Sequence, residues 1–225
     1  MQKNAIILFS GGLDSTTCLA IAKSQGFVCY ALSFSYGQKH QVEVEWAKKI
    51  AATSGVAEHK ILNLPLDELG GSSLTDKQKK VDDHVANGSI PATYVPARNT
   101  IFLSFALAWG EVIGAVDIFI GANHIDYSGY PDCRPDYLQA FEQMAVLATK
   151  RGREGERFII HAPLLQMNKA DIIRAGVKLG VDYSQTLSCY RADAAGRACG
   201  SCDSCVYREK GFSEAGVDDP TIYVL

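Results

Sequence analysis

The sequence predicts an α/β domain: a five-stranded parallel sheet with helices on both faces, plus a C-terminal segment clamped by cysteines. Three observations carry this. Short apolar runs alternate with stretches of helical periodicity, the pattern of a parallel sheet covered on both sides. The first apolar run ends in a pair of glycines that open a helix, and four of the seven cysteines crowd into one short stretch near the C-terminus. A chain of 225 residues suits one such domain with a full core.

Ala5–Phe9 is the first strand, and Thr17–Lys23 reads as the helix after it. Between them lies Ser10-Gly11-Gly12-Leu13-Asp14-Ser15-Thr16. Adjacent glycines let the backbone turn sharply and present several N–H donors together, and the helix start adds positive potential. With the hydroxyls of Ser10, Ser15 and Thr16, this turn suits a polyanion. The plainer reading, a glycine turn with a helix cap, fits a lone Gly-Gly equally well. The turn lacks the Gly-Lys-Ser/Thr ending of a Walker loop and the Gly-x-Gly-x-x-Gly dinucleotide fingerprint.

Val28–Phe34 is the second strand and Val42–Thr53 a helix with Val44, Ala47, Ile50 and Ala51 on one face. Between them, Ser35–His40 falls at the carboxyl edge of the sheet, where ligands bind in open parallel sheets. Glu58–Leu64 is the third strand. From Leu66 to Tyr94 periodicity fails and glycine, serine and mixed charges dominate, so a solvated, mobile lid is expected. Pro96 then introduces a helix whose Ile101, Phe105, Ala108 and Val112 recur at helical spacing and read as its core stripe. At the mouth of that helix, Arg98 offers a planar fork that suits phosphate, with Asn99 beside it; a simple cap is the alternative.

Val116–Ile120 is the fourth strand. It leads into Gly121–Arg134, a loop crowded with His124, Tyr127, Asp132, Cys133 and Arg134 at the same carboxyl edge and hence a candidate substrate site. Singly, these residues have duller readings: Asp132 as the cap of the helix near Asp136, Cys133 as a small buried hydrophobe, His124 as a satisfied polar group. Tyr137–Thr149 is helical and Arg157–His161 is the fifth strand. Asn168 reads as the N-cap of the next helix, which puts Lys169 in the first turn, where a cation opposes the helix dipole. A bound anion relieves that conflict, so Lys169 is assigned to the pyrophosphate end of ATP; a solvent-facing lysine is the alternative.

The tail carries Cys189, nine residues, then Cys199-Gly200-Ser201-Cys202-Asp203-Ser204-Cys205. Four thiolates so spaced predict a closed structural zinc site without an open position for water; an iron–sulfur cluster and redox-active thiols are the rivals. Residues 1–185 thus form the nucleotide-binding domain and residues 186–225 a zinc-binding segment packed on it. The formal charge of -3 and absence of a basic stripe disfavour nucleic acid as partner. No signal peptide is expected before Ala5, and no apolar run reaches the roughly 20 residues of a membrane helix. A cytoplasmic protein acting on small molecules is the expectation.

Phe9–Leu19, Ser35–Gln38, Val95–Asn99, Ser128–Arg134 and the four C-terminal cysteines together resemble the 7-cyano-7-deazaguanine synthase family, within the PP-loop ATP pyrophosphatase superfamily. The resemblance spans Phe9 to about Cys205. It implies a Rossmann-like adenine nucleotide α-hydrolase fold and a homodimer. It also implies conversion of 7-carboxy-7-deazaguanine and ammonia to a nitrile in queuosine biosynthesis, through adenylated acid and amide intermediates, with two ATP used. On that reading Phe9, Ser10, Gly11, Gly12, Leu13, Asp14, Ser15, Thr16, Thr17, Cys18 and Leu19 hold ATP. Asp14, with Mg²⁺, Arg98 and Lys169 serve the chemistry, and Tyr127, Ser128, Tyr130, Asp132, Cys133 and Arg134 recognise the base. No general base is evident, so ammonia is expected to enter unprotonated. The alternatives are a PP-loop tRNA-modifying ligase or thiolase, and a nucleotide-sensing protein with a zinc-ribbon interaction module.

Overall fold

The computed structural model describes residues 2–39, 42–84, 90–124 and 129–224. Five parallel strands, β1 (Asn4–Leu8), β2 (Val28–Ser35), β3 (Glu58–Asn63), β4 (Asp117–Phe119) and β5 (Ile159–His161), form one sheet in the order β3-β2-β1-β4-β5. β1 pairs with both β2 and β4, so the strand order reverses beside β1 and opens a crevice at the carboxyl ends of β1 and β4.

Alternation along β1 divides the core. Ile6 and Leu8 face a layer containing Leu103 and Phe141, from helices α3 (Arg98–Ile113) and α4 (Pro135–Ala148). Ala5 and Ile7 face the opposite layer with Leu19, Ile50, Ile173 and Phe212. These come from α1 (Leu13–Ser24), α2 (Val42–Thr53), α5 (Lys169–Lys178) and α6 (Asp203–Ala215). Both faces of the sheet are therefore covered.

Three expectations change. First, α1 begins at Leu13 rather than Thr17, with Gly12 as its N-cap, so Asp14, Ser15 and Thr16 already lie in the first helical turn. Second, α3 turns Phe105, Ala108 and Val112 outward, Val112 being 79% exposed, and buries Leu103, Ala106 and Leu107 instead. Its sequence, RNTIFLSFALAWGEVI, is apolar nearly all round, so periodicity alone does not select the buried face.

Third, part of the stretch expected as a solvated lid is packed, while its charged run Lys77–Lys80 and Asp82–Asp83 is exposed. Ser72, Ser73, Leu74, Thr75, Val81 and Thr93 are all buried. The chain satisfies itself there through local bonds such as Ser73 N–H to Ala92 O at 2.8 Å and Asp76 N–H to Ser72 O at 2.9 Å. Such a coil needs no hydrophobic period to be ordered, which is why its burial is invisible to a periodicity reading.

Candidate active site

The turn after β1 is tight because Gly11 adopts φ +80°, and a Cβ there would lie 2.8 Å from the Ala47 backbone nitrogen. Ser10 Oγ lies 3.1 Å from Ser15 Oγ, and Thr16 Oγ1 donates to Gly12 O at 2.9 Å. The hydroxyls thus fold the turn onto the start of α1, whose leading amides have no carbonyl one turn back. Across the crevice Gly121 comes so close that a Cβ would sit 3.1 Å from the Ser15 nitrogen. A residue with a side chain at position 121 would fill the cradle.

The tail completes this turn. Leu187 N–H donates to Gly11 O at 3.3 Å, and Leu13 N–H donates to Ser188 Oγ at 3.2 Å.

Beside the turn is a cavity of about 250 Å³ lined by Phe9, Ser10, Gly12, Leu13, Asp14 and Ser15. Tyr36 and Gln38 line it from the loop after β2, Arg98 and Asn99 from the start of α3, and Tyr130 and Cys133 from the chain after β4. The carboxyl-edge placement read from the sequence therefore holds for the described parts of the loop after β2 and of the chain after β4. Thr17, Cys18 and Leu19 instead face the core: all three are buried, and Thr17 Oγ1 lies 2.7 Å from the Tyr183 hydroxyl. The helix geometry that points Asp14 and Ser15 at the cavity turns the next residues away from it.

Lys169 enters from the first turn of α5, which Asn168 caps by accepting from Asp171 N–H at 2.9 Å. Its Nζ lies 2.8 Å from both carboxylate oxygens of Asp14, and Asn123 donates to the same carboxylate at 3.2 Å. The anion that offsets the helix dipole at Lys169 is thus the Asp14 carboxylate. Asp14 is also the residue the family resemblance places at Mg²⁺, and here both its oxygens are taken by the ammonium.

Arg98 follows Ala97, a non-glycine residue in the left-handed region at φ 54°, and its guanidinium lies 5.9 Å from the centroid of the Tyr36 ring. Strain of this kind gathers where a side chain must be aimed. Asp132 is buried and accepts from Asn99 N–H at 2.9 Å, while Asn99 Nδ2 donates to Cys133 Sγ at 3.0 Å. Asp132 thus caps α3 rather than the helix near Asp136. Arg134 is exposed at the N-cap of α4 and does not line the cavity. Tyr130 stacks on Tyr94 with centroids 5.8 Å apart. Tyr127 and Ser128 lie outside the described residues, as does His40.

Several cavity residues, Ser33 and Glu43 among them, have no counterpart in the sequence reading. Ser33 lies 2.7 Å from His59 Nε2 and donates to Phe9 O, bracing the end of β1 from below. Burial, then nearby Lys48, lowers the His59 pKa. Glu43, in the first turn of α2, also lines the cavity, and burial pushes its carboxyl up to about 7. In sequence an acid in a first helical turn looks like a dipole partner, so nothing marked it as unusual.

The family model of the queuosine biosynthesis protein QueC matches residues 4–216. The chain belongs to this family. Among curated QueC-type relatives, it is 61% identical over 222 residues to the 7-cyano-7-deazaguanine synthase of Methylococcus capsulatus, covering 99% of each chain. It is likewise 61% identical over 223 residues to that of Coxiella burnetii, again covering 99% of each. The fold is similar to NMN synthetase from Francisella tularensis, with a TM-score of 0.51 and 17% identity over 96% of this chain and 78% of that one. A predicted subunit of tRNA methyltransferase from Methanocaldococcus jannaschii gives 0.52 and 15%, over 99% and 92%. At these identities the two structures speak for the fold alone.

In this member of the QueC family the four C-terminal cysteines converge, with all their sulfurs within 4.8 Å of one another. Cys202 and Cys199 lie 3.6 and 3.9 Å from Cys205. Thiolates about 2.3 Å from a tetrahedral zinc sit roughly 3.8 Å apart, so the sulfur spacing fits a metal ion of that size. Backbone N–H groups of Arg191 and Cys199 donate to Cys189 Sγ, each at 3.2 Å. Donors so placed favour the thiolate form that a metal needs.

Proposed function

We propose that the chain is an ATP-dependent carbon–nitrogen ligase that converts 7-carboxy-7-deazaguanine and ammonia to 7-cyano-7-deazaguanine, releasing AMP and pyrophosphate. One observation carries the reading: the glycine turn, Arg98, Tyr130 and Cys133 all line one cavity at the strand-order reversal. A nucleotide and a flat base held there meet end to end. Family membership and the activity for which its relatives are named support the substrate.

A carboxylate is a poor electrophile. Joining its oxygen to the α-phosphorus of ATP, with departure of pyrophosphate, makes AMP the leaving group for ammonia and gives the amide. The amide oxygen is then activated by a second ATP and lost with AMP, leaving the nitrile. The Ser10–Thr16 turn would hold the departing pyrophosphate and stabilise its growing charge. Lys169 would move between Asp14 and that charge, Arg98 would pair with phosphate or carboxylate, and Tyr130 would stack on the base. Once Lys169 leaves it for the phosphates, Asp14 would be the carboxylate beside the magnesium that accompanies ATP.

Zinc on Cys189, Cys199, Cys202 and Cys205 would have a structural role, since four thiolates leave no open position for chemistry. With this reading go a cytoplasmic homodimer and no direct nucleic-acid partner. Among the described residues no helix is long and apolar enough to cross a membrane. The test is incubation with ATP, ammonium and 7-carboxy-7-deazaguanine, followed by mass spectrometry. Amide and nitrile are the expected products, and failure of the folded protein to make either overturns the reading.

A further inference from the structure

Two carboxylates line the cavity among the described residues, Asp14 and Glu43. They are not equivalent. Asp14 is neutralised by Lys169 at 2.8 Å and further held by Asn123. Glu43 makes no hydrogen bond or ion pair with any described residue; Arg98 is its nearest electrostatic partner and stays beyond ion-pair distance. No described histidine lines the cavity. Among the described residues, the pocket therefore holds a carboxyl group whose acceptor oxygens make no hydrogen bond or ion pair.

The ammonia-consuming reaction needs such a group. At neutral pH the nitrogen source is almost entirely ammonium, which has no lone pair to attack with, and a cation is also the ligand that an unpaired carboxylate attracts. Resting on the function proposed above, we propose that Glu43 binds ammonium in the cavity and removes its proton, delivering ammonia to the activated substrate. The N–H proton passes to a Glu43 oxygen, leaving neutral ammonia and a carboxylic acid. The nitrogen lone pair then forms the C–N bond while the C–O bond to AMP breaks. The second proton lost from nitrogen goes to the departing phosphate, and Glu43 returns its own proton to water.

The raised pKa near 7, caused by burial and opposed by Arg98, suits this exchange, because the base is ionised when free and becomes a competent acid when loaded. Among the described residues, the other titratable or charged groups lining the same cavity are Asp14, Tyr36, Lys39, Arg98, Tyr130, Cys133, Cys189 and Tyr190. None of the lysine, arginine or tyrosine groups accepts a proton from ammonium near neutrality, and the Tyr36 hydroxyl is pushed further up by its burial.

The test compares two nucleophiles in Glu43→Gln and Glu43→Asp: ammonium, and hydroxylamine, whose nitrogen is largely unprotonated at neutral pH and needs no base. Glu43→Gln is expected to lose about 100-fold in kcat/KM for ammonium while forming hydroxamate within a few-fold of the wild-type rate. Glu43→Asp, which keeps a carboxylate, should fall between. Equal losses with both nucleophiles, or no loss with either, overturn the assignment.

A wild-type measurement stands beside these. At fixed total ammonium, amide formation should level off above about pH 7 if Glu43 strips bound ammonium. It should climb about tenfold per pH unit, in step with free ammonia, if no base acts; that climb refutes the assignment. A folded wild-type protein that makes neither amide nor hydroxamate refutes the ligase reading itself, and this inference with it.

Discussion

At the scale of single residues the site is built from opposed charges held a short distance apart. Lys169 is held by both carboxylate oxygens of Asp14, so the pair is a latch as well as a charge source. Lys169→Met should reduce pyrophosphate release by about 10²–10³ while leaving the circular dichroism spectrum unchanged, because it removes a cation from where charge develops. Glu43 carries a second, purely thermodynamic signature. Its carboxyl titrates near 7 when folded and near 4.5 when unfolded, so between those values the folded chain binds more proton. Stability therefore falls as pH rises through that window, and the full penalty is present above it. Urea melts at about pH 8 should find Glu43→Gln more stable than wild type by on the order of 2 kcal/mol, a difference that narrows toward about pH 4. Gly11 is the sterically demanding position: Gly11→Ala forces a left-handed φ and a clash with the backbone of α2. It should cost about 1–3 kcal/mol in denaturant melts and abolish ATP binding in calorimetry.

At the scale of elements, the helices position what the strands expose. α6 packs against α5 so closely that a Cβ on Gly211 would lie 2.4 Å from Lys169 Cγ. Gly211→Ala should therefore displace the lysine and lower turnover about tenfold or more, with bound metal unchanged by atomic absorption. α3 shows where sequence reasoning stops. Its existence was legible from Pro96 and the apolar run, but its orientation was not, because Ile101, Phe105 and Ala108 look as buriable as Leu103 and Leu107. Thermal melts should separate them: Leu103→Ala should cost about 2–5 kcal/mol and Ala108→Gln under about 0.5 kcal/mol. The glycine turn and the Asn168 cap were readable because each rests on local backbone chemistry. Glu43 and Ser33 were not, since only the packing of α2 against the sheet brings them to one cavity.

At the scale of the molecule, the cysteine cluster is tied to the rest by more than its own ligands. Arg191 donates to Val81 O at 3.1 Å and to Ser201 Oγ at 2.6 Å, and His84 lies 2.7 Å from Asp203. The stretch around residues 79–84, which sequence left as a lid, is held by this tail. Cys202→Ser or a strong chelator should lower metal content and the melting temperature together, because the metal supplies folding free energy to a segment with little apolar burial of its own. The same treatment should open the 79–84 stretch to hydrogen exchange before the strands. The bonds from Leu187 and Ser188 to the glycine turn add a constraint in time. During translation the turn leaves the ribosome early, yet it stays unbraced until residue 188 emerges. A nascent chain therefore carries an unbraced glycine turn until residue 188 has emerged, and on the function proposed above it could not grip a phosphate before then.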